Sequence, residues 1–340
     1  MDNECNLVSN LYGVMQVIAK YRTIPIEILI FDAITRRLPD NHPRKSEFLS
    51  KLIRWKAGYK GEIEVDYYFS LFPDDDLTIF QYLRLPHKNG YFQIDTLIIS
   101  PWFMVIIESK NLAGTIEIDH ELDQLLQTYD GMEKGYINPI LQAEIQSAHL
   151  KKWLIKHQLP LPPLETFVTI SNPQTIIKNP TNNKVVSYRT CRAARIPFKI
   201  STLKTQFNKE ILTKKDIKKV TRLLLKQHVP FYPDPKAMDI PSDILTGVQC
   251  PYCSLFSMER MHGTWFCENC GKTSKDAHIQ AVKDYFLLKG PTLTNKKLRE
   301  FLHINSEDTI SRILHSLNLV FTGTTKNRVY SPLEDFFNGL

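Results

Sequence analysis

The segment Gln93-Ile-Asp-Thr-Leu-Ile-Ile-Ser-Pro-Trp-Phe-Met-Val-Ile-Ile-Glu-Ser-Lys110 decides the reading of this chain. Two apolar, β-branched runs, Phe92–Ile99 and Phe103–Ser109, flank a tight turn at Ser100-Pro101 and read as paired strands. Side chains alternate along a strand, so Glu108 and Lys110 share a face while Ser109 points away. Asp95, on the preceding strand, is expected to face Glu108 across the ladder. Two carboxylates and an ammonium at the mouth of an otherwise apolar hairpin are costly unless they pair or hold a cation. Two readings follow. Asp95 and Glu108 suit Mg²⁺ as hard oxygen ligands, with water beside Lys110 as a nucleophile. Alternatively, the three form a surface salt bridge. So short a pattern leaves both open.

Working outward, Thr78–Leu85 and Thr115–Ile118 read as further strands, with Gly90, Pro101 and Gly114 as breaks. Asn138–His157 reads as a helix, followed by a strand at Phe167–Ile170 and a helix at Lys214–Gln227. Strands interleaved with helices predict an α/β core around a mixed sheet flanked by helices. Upstream, Leu7, Leu11, Val14, Met15 and Ile18 recur at helical spacing, and Pro25–Leu38 and Ser46–Lys56 are amphipathic. Gly58 and Gly61 suggest a break before a short helix, Glu62–Leu71. The chain therefore divides into a helical N-terminal segment (1–57), an α/β core with a basic C-terminal stretch (58–228), a Pro-rich linker (229–247), a cysteine-rich module (248–273) and a small last domain (274–340).

The 340 residues, 43% hydrophobic and 23% charged, can build sizeable cores, which excludes wholesale disorder. No apolar run reaches the ~18 residues of a membrane span. The N-terminus lacks the basic and apolar regions of a secretory signal, so a cytoplasmic protein without a membrane partner is expected. The net charge of +7 is unevenly placed. Between Lys178 and Lys226 fourteen basic residues face only Glu210 and Asp216. Such a field attracts polyanions, nucleic acid first among them, although a solvated basic face is also common. Lys184, Arg189, Arg192, Arg195, Lys214, Lys215, Lys218 and Lys219 are its candidate contacts.

Several ordered motifs in this frame resemble the NERD (nuclease-related domain) family of the PD-(D/E)xK nuclease superfamily. They are Gly58-Tyr-Lys-Gly-Glu62, Gln93-Ile-Asp95, Glu108-Ser-Lys-Asn111 with Gly114, Asn138-Pro139 with Gln142, and the strand Phe167–Pro173. The resemblance covers roughly residues 50–175. Thr96 stands where the family commonly has a histidine. The resemblance implies a restriction-endonuclease-like core that hydrolyses phosphodiesters with Mg²⁺ or Mn²⁺. Asp95 and Glu108 would bind the metal, aided by the Ser109 carbonyl. Lys110 would position water and steady developing charge. Glu62 would join the metal shell directly or through water, and Gln142 would orient the phosphate or Lys110. Each also has an ordinary structural reading: a first-turn carboxylate for Glu62 and an exposed helix position for Gln142.

Cys250-Pro-Tyr-Cys253 and Cys267-Glu-Asn-Cys-Gly271 form two C-x-x-C pairs. Four thiolates suit one tetrahedral, structural Zn²⁺, and so short a segment has too little core to fold without it. The segment resembles the zinc ribbons of bacterial topoisomerases. Leu255, Phe256, Met258, Trp265 and Phe266 would cover the ribbon or offer rings to unstacked bases. Cys5 and Cys191 are left over. Beyond them, three helical stretches and a β-rich pair around Gly323–Asn327 resemble a winged helix, with Thr309, Ser311, Arg312 and His315 on its reading helix.

Together these features predict a metal-dependent, DNA-acting endonuclease or phosphodiesterase. RNA is a further candidate substrate, and a helicase or topoisomerase a candidate partner. The rival readings are a non-catalytic nucleic-acid-binding or regulatory protein that keeps the fold, and a zinc-containing scaffold.

Overall fold

A computed structural model of the chain describes residues 17–88, 90–232, 238–324, 327–333 and 336–337. These residues fall into two compact units. One joins the described residues up to Thr23 to Lys56–Phe231, and the other joins Ile24–Trp55 to those from Tyr232 onward.

The first unit is built on a six-stranded mixed sheet with the order β1-β2-β3-β4-β8-β10. Its strands are β1 (Val17–Lys20), β2 (Thr78–His87), β3 (Gly90–Ile99), β4 (Met104–Lys110), β8 (Leu164–Ile170) and β10 (Thr190–Arg192), the last preceded by the short helix α4 (Lys184–Arg189). The β2-β3-β4 meander is antiparallel, while β1, β8 and β10 pair in parallel with their neighbours. In β4, Met104 and Ile106 pack toward α3 (Pro139–Lys156) and α6 (Lys214–Gln227). Val105 and Ile107 pack on the opposite face with Val65 and Phe69 of α2 (Lys45–Ser70) and Ile196, Ile200 and Leu203 of α5 (Ile196–Gln206). All four β4 side chains are fully buried, which is why the strand reads as an unbroken apolar run. Each contributes about 1.5–3 kcal/mol of transfer free energy. A second sheet, β7-β6-β5-β9, comprises β5 (Thr115–Asp119), β6 (Gln124–Tyr129), β7 (Met132–Ile137) and β9 (Ile176–Lys178).

The second unit contains α1 (Ile26–Arg37), the start of α2, a three-stranded sheet of β11 (Met258–Met261), β12 (Thr264–Cys267) and β13 (Thr273–Ser274), and helices α7 (Ala277–Lys289), α8 (Asn295–Leu302) and α9 (Glu307–Ser316). The hairpin β14 (Leu319–Thr322) and β15 (Val329–Pro332) completes it. At its centre lies a buried ion cluster. Arg37 Nε lies 2.7 Å and Arg36 Nη2 2.8 Å from the two oxygens of Asp284, and the Arg37 and Asp284 side chains are fully buried. The Arg37 guanidinium also lies over the rings of Phe256 and Phe301, and its Nη1 donates to the carbonyls of Leu245 and Gly247.

Two expectations need correcting, and one hairpin went unread. The helical spacing through Ile18 does not hold where it can be seen: Val17–Lys20 is a strand, paired with Thr78–Phe80. Leu7, Leu11, Val14, Met15 and Cys5 lie outside the described residues. The break expected at Gly58 and Gly61 is absent, and α2 runs through both as one helix. A Cβ on Gly61 would meet Asn111 Cβ and Ser171 Oγ at 2.6 Å, so glycine there lets the helix approach the ends of β4 and β8 rather than ending it. The hairpin β6–β7 was not anticipated, because β7 is exposed along its whole length and lacks an apolar alternation.

Candidate active site and metal centre

The Thr96–Ile107 pair of the β3–β4 ladder sets the register, and one step further Asp95 stands opposite Glu108 on the same face. The β2 partner is irregular here. Tyr82, at φ +54°, and Asp95 fall between the Gln81–Thr96 and Leu83–Ile94 pairs, and Ile94 and Leu97 both turn toward α3 and α6. One residue of each strand is unpaired there, so the ladder is locally interrupted beside Asp95. Asp95 Oδ2 accepts the Ser109 backbone N–H at 3.0 Å.

Both oxygens of Glu108, a residue only 6% exposed, are engaged. Oε1 accepts from Lys110 Nζ at 2.7 Å, and Oε2 accepts from Gln146 Nε2 of α3 at 2.8 Å. Gln142, one turn earlier on α3, does not make that contact. Its buried Oε1 has no hydrogen-bond partner, and neither does the Oε1 of Gln146. Asn138 caps the helix that carries both, its side chain accepting from Ile140 N at 2.9 Å, with Pro139 at the first helical position. Gln146 is therefore a site residue that sequence reasoning missed. The signal that could have found it was its i,i+4 spacing from Gln142 on one helix face.

Arg22 was missed as well. Its side chain is 4% exposed. Nε donates to Asp66 Oδ2 at 2.7 Å, Nη1 to Glu62 Oε2, and Nη2 to Asp66 Oδ1, the Asp95 carbonyl and Thr96 Oγ1 at 3.1–3.2 Å. Burial works against its charge, but Asp66, Glu62 and Asp95 outweigh that and hold it protonated.

Burial pushes the Asp95 carboxyl well above its ordinary range, and the Glu108 and Glu62 charges add to this. Burial likewise raises Glu62, to about 7, against the opposing pull of Arg22. Carboxylates so placed take up a proton or a cation. Two facing carboxylates with partnerless amide oxygens nearby are a hard-oxygen donor set, which fits a Mg²⁺-type ion. Among the described residues, the one group of three or more His, Cys, Asp or Glu side chains with ligand atoms within 4.8 Å of one another is the cysteine set.

In that set, Cys250 and Cys270 Sγ lie 3.7 Å apart, and Cys253 and Cys267 Sγ 3.6 Å apart. Tetrahedral Zn²⁺ with Zn–S near 2.3 Å requires sulfurs about 3.8 Å apart, so the four thiols are compatible with a structural zinc. Two matching turns present them. Ser254 N–H donates to Cys250 O at 3.0 Å and Gly271 N–H to Cys267 O at 2.9 Å, with both residues left-handed (φ +62° and +67°). Trp265 is fully buried and donates Nε1–H to His278 Nδ1, whereas Leu255 is 50% exposed.

The basic residues divide. Arg189 donates to Thr166 Oγ1, and Arg192 to the carbonyls of Asn172 and Thr175, so these two are tied into the fold. Lys184 and Arg195 are exposed, as are Lys214, Lys215, Lys218 and Lys219 on the outer side of α6, whose inner side buries Val220 and Leu224. On α9, Arg312 and His315 are exposed, while Thr309 and Ser311 form hydrogen bonds with Ser306 and Asn295. In the Asp74–Asp76 loop, Lys204 bridges Asp74 and Asp76. Among the described residues no helix is long and apolar enough to cross a membrane.

Compared with protein families, residues 57–171 match the nuclease-related domain, about a third of the chain, which supports a domain of that kind here. No curated protein and no solved structure matches the chain.

Proposed function

We propose that this protein is a divalent-metal-dependent nuclease that hydrolyses the phosphodiester backbone of DNA. The observation that carries this reading is the convergence of Asp95, Glu108 and Lys110 at the end of one hairpin, inside the segment matched to the nuclease-related domain. In this reading the mixed sheet and its flanking helices are a restriction-endonuclease-like core. Asp95 and Glu108 would hold Mg²⁺ or Mn²⁺, with the Ser109 carbonyl beside them. Such an ion, when bound, neutralises phosphate charge and makes water a better nucleophile. Lys110 Nζ, 2.7 Å from Glu108, orients the attacking water and steadies charge on the phosphoryl oxygens. Gln146 fixes the far oxygen of Glu108, and Gln142 offers a buried acceptor to orient water or Lys110.

The exposed lysines of α6, with Lys184 and Arg195, would follow the substrate backbone. The zinc ribbon and a winged-helix-like arrangement of α7–α9 with β14–β15 would position the nucleic acid or a helicase- or topoisomerase-type partner. A cytoplasmic setting suits the free thiols.

A second reading has its own observation. Both Glu108 oxygens have protein partners, Lys110 and Gln146, as expected of a non-catalytic binder that keeps the fold. Plasmid and single-stranded DNA, incubated with Mg²⁺ or Mn²⁺, separate the two. Cleavage that disappears in Glu108→Ala and Lys110→Ala supports the nuclease. DNA retention in a gel shift without cleavage under any divalent metal supports the binder. Replacing Lys214, Lys215, Lys218 and Lys219 by Gln should weaken binding alike across sequences. It should also flatten the salt dependence, by roughly 0.9 in log–log slope for each phosphate that is no longer neutralised.

A further inference from the structure

Glu62 lies on α2 within the electrostatic reach of Asp95 and Glu108, and its carboxylate is already held by an ion pair with Arg22. The side chain that holds it is Arg22, which belongs to a different stretch of chain, outside the segment matched to the nuclease-related domain. Arg22 is fixed at both ends. Its backbone N–H donates to Gln81 Oε1 at 2.8 Å, and the preceding strand β1 pairs with β2. The Gln81 side chain also bonds Asp66, so the amide of one β2 residue bridges the backbone of Arg22 to its carboxylate partner. The guanidinium then takes both oxygens of Asp66, one oxygen of Glu62, and the Asp95 carbonyl and Thr96 hydroxyl of β3. A planar fork with this many partners is a rigid strut, not a rotating counter-charge.

We infer that Arg22 is a positioning residue that holds Glu62 out of the metal shell, leaving Asp95 and Glu108 as the carboxylate ligands, and so sets the affinity of the site for its ion. This rests on the metal reading of Asp95 and Glu108. Four carboxylates (Glu62, Asp66, Asp95, Glu108) here face two cations, Arg22 and Lys110. Loss of Arg22 makes the cluster one charge more negative and frees Glu62 to swing toward the ion. Both effects strengthen cation binding. A purely structural Arg22 would do the opposite, because a loosened site binds its ion less well.

The test is Mn²⁺ titration calorimetry on the zinc-loaded full-length protein at pH 8, where proton competition is weak. Arg22→Gln should bind Mn²⁺ about tenfold more tightly than wild type, and Arg22→Gln/Glu62→Gln should return to near the wild-type affinity. Glu62→Gln alone, which keeps Arg22, should stay within about threefold of wild type and serves if Arg22→Gln does not fold. Binding that is unchanged or weaker in a folded Arg22→Gln protein overturns the inference. So does a tenfold or greater loss in Glu62→Gln, which would make Glu62 a ligand. Both results leave the metal reading of Asp95 and Glu108 intact. Wild-type protein that binds no Mn²⁺ sinks that reading, and the inference with it.

Discussion

Gln146 Nε2 donates to Glu108 Oε2 at 2.8 Å, on the opposite side of the carboxylate from the oxygen that Lys110 takes. The orientation of the carboxylate is thereby fixed from α3 as well as from its own strand. A hydrogen bond to a charged group is worth about 1.5–3 kcal/mol. Under the proposed nuclease function, Gln146→Ala should therefore lower DNA turnover roughly ten- to a hundredfold while leaving the fold intact. Single-turnover cleavage at saturating metal, with circular dichroism as the fold control, checks this. Gln146→Glu should be worse than Gln146→Ala, because it sets a like charge against Glu108.

Chelation should dismantle the ribbon selectively. Metal binding in such segments supplies about 10–16 kcal/mol of folding free energy, and little apolar core remains without it. Wild-type protein should carry one zinc by elemental analysis, held by Cys250, Cys253, Cys267 and Cys270. Stripping the zinc should open the Cys250–Cys270 stretch to limited proteolysis while Met104–Ile107, buried in the sheet core, stays protected. Cys253→Ser/Cys267→Ser should purify without zinc.

Asp284 holds two guanidinium groups in the second unit with no solvent access of its own. Removing one partner of a buried ion cluster leaves an uncompensated charge and costs about 3–5 kcal/mol. Asp284→Asn should lower the stability of this unit by that amount in urea melts. Arg36→Gln should cost less, because the Arg36 side chain is 25% exposed and Arg37 still neutralises Asp284.

His228, just beyond α6, accepts the backbone N–H of Arg84 through Nδ1 at 3.1 Å. Burial, assisted by Lys20, holds its pKa down to about 4. The unfolded chain, with histidine near 6.5, binds this proton more readily than the folded one. The contribution of His228 to stability is therefore complete above about pH 6.5 and is lost as pH falls toward 4. Thermal melts across that window should show the decline. His228→Asn, which keeps a neutral acceptor, should flatten it.

The parts of the fold that were legible in the sequence share one property: their burial is local and periodic. β3 and β4 are covered on both faces and so announce themselves as apolar runs. The α6 helix declares its start through the Thr213–Asp216 capping box and its inner side through Val220 and Leu224. What was hidden depends on distant partners. Gly61 reads as a helix breaker until Asn111 and Ser171 are seen pressing on it. Arg22 is one basic residue in an unpatterned stretch, and only the return of the chain at Glu62, Asp66 and Asp95 gives it a purpose. In the candidate site the hairpin motif brought Asp95, Glu108 and Lys110 into view and the family resemblance pointed to Gln142, but no motif marked Gln146, which lies one turn further along α3 and bonds the Glu108 carboxylate.

The first unit is discontinuous in the chain: residues 24–55 leave it and the chain re-enters at Lys56. A recombinant fragment trimmed to the stretch that matches the nuclease-related domain would begin too late to include β1 and Arg22 and would end before α5 and α6. It would expose the flank of β2, remove α6 from one face of the central sheet and α5 from the other, and leave Glu62 and Asp66 without their guanidinium. Loss of activity in such a fragment would report a broken scaffold and say nothing about the chemistry of Glu108. Engineering of this site therefore has to start from the intact polypeptide.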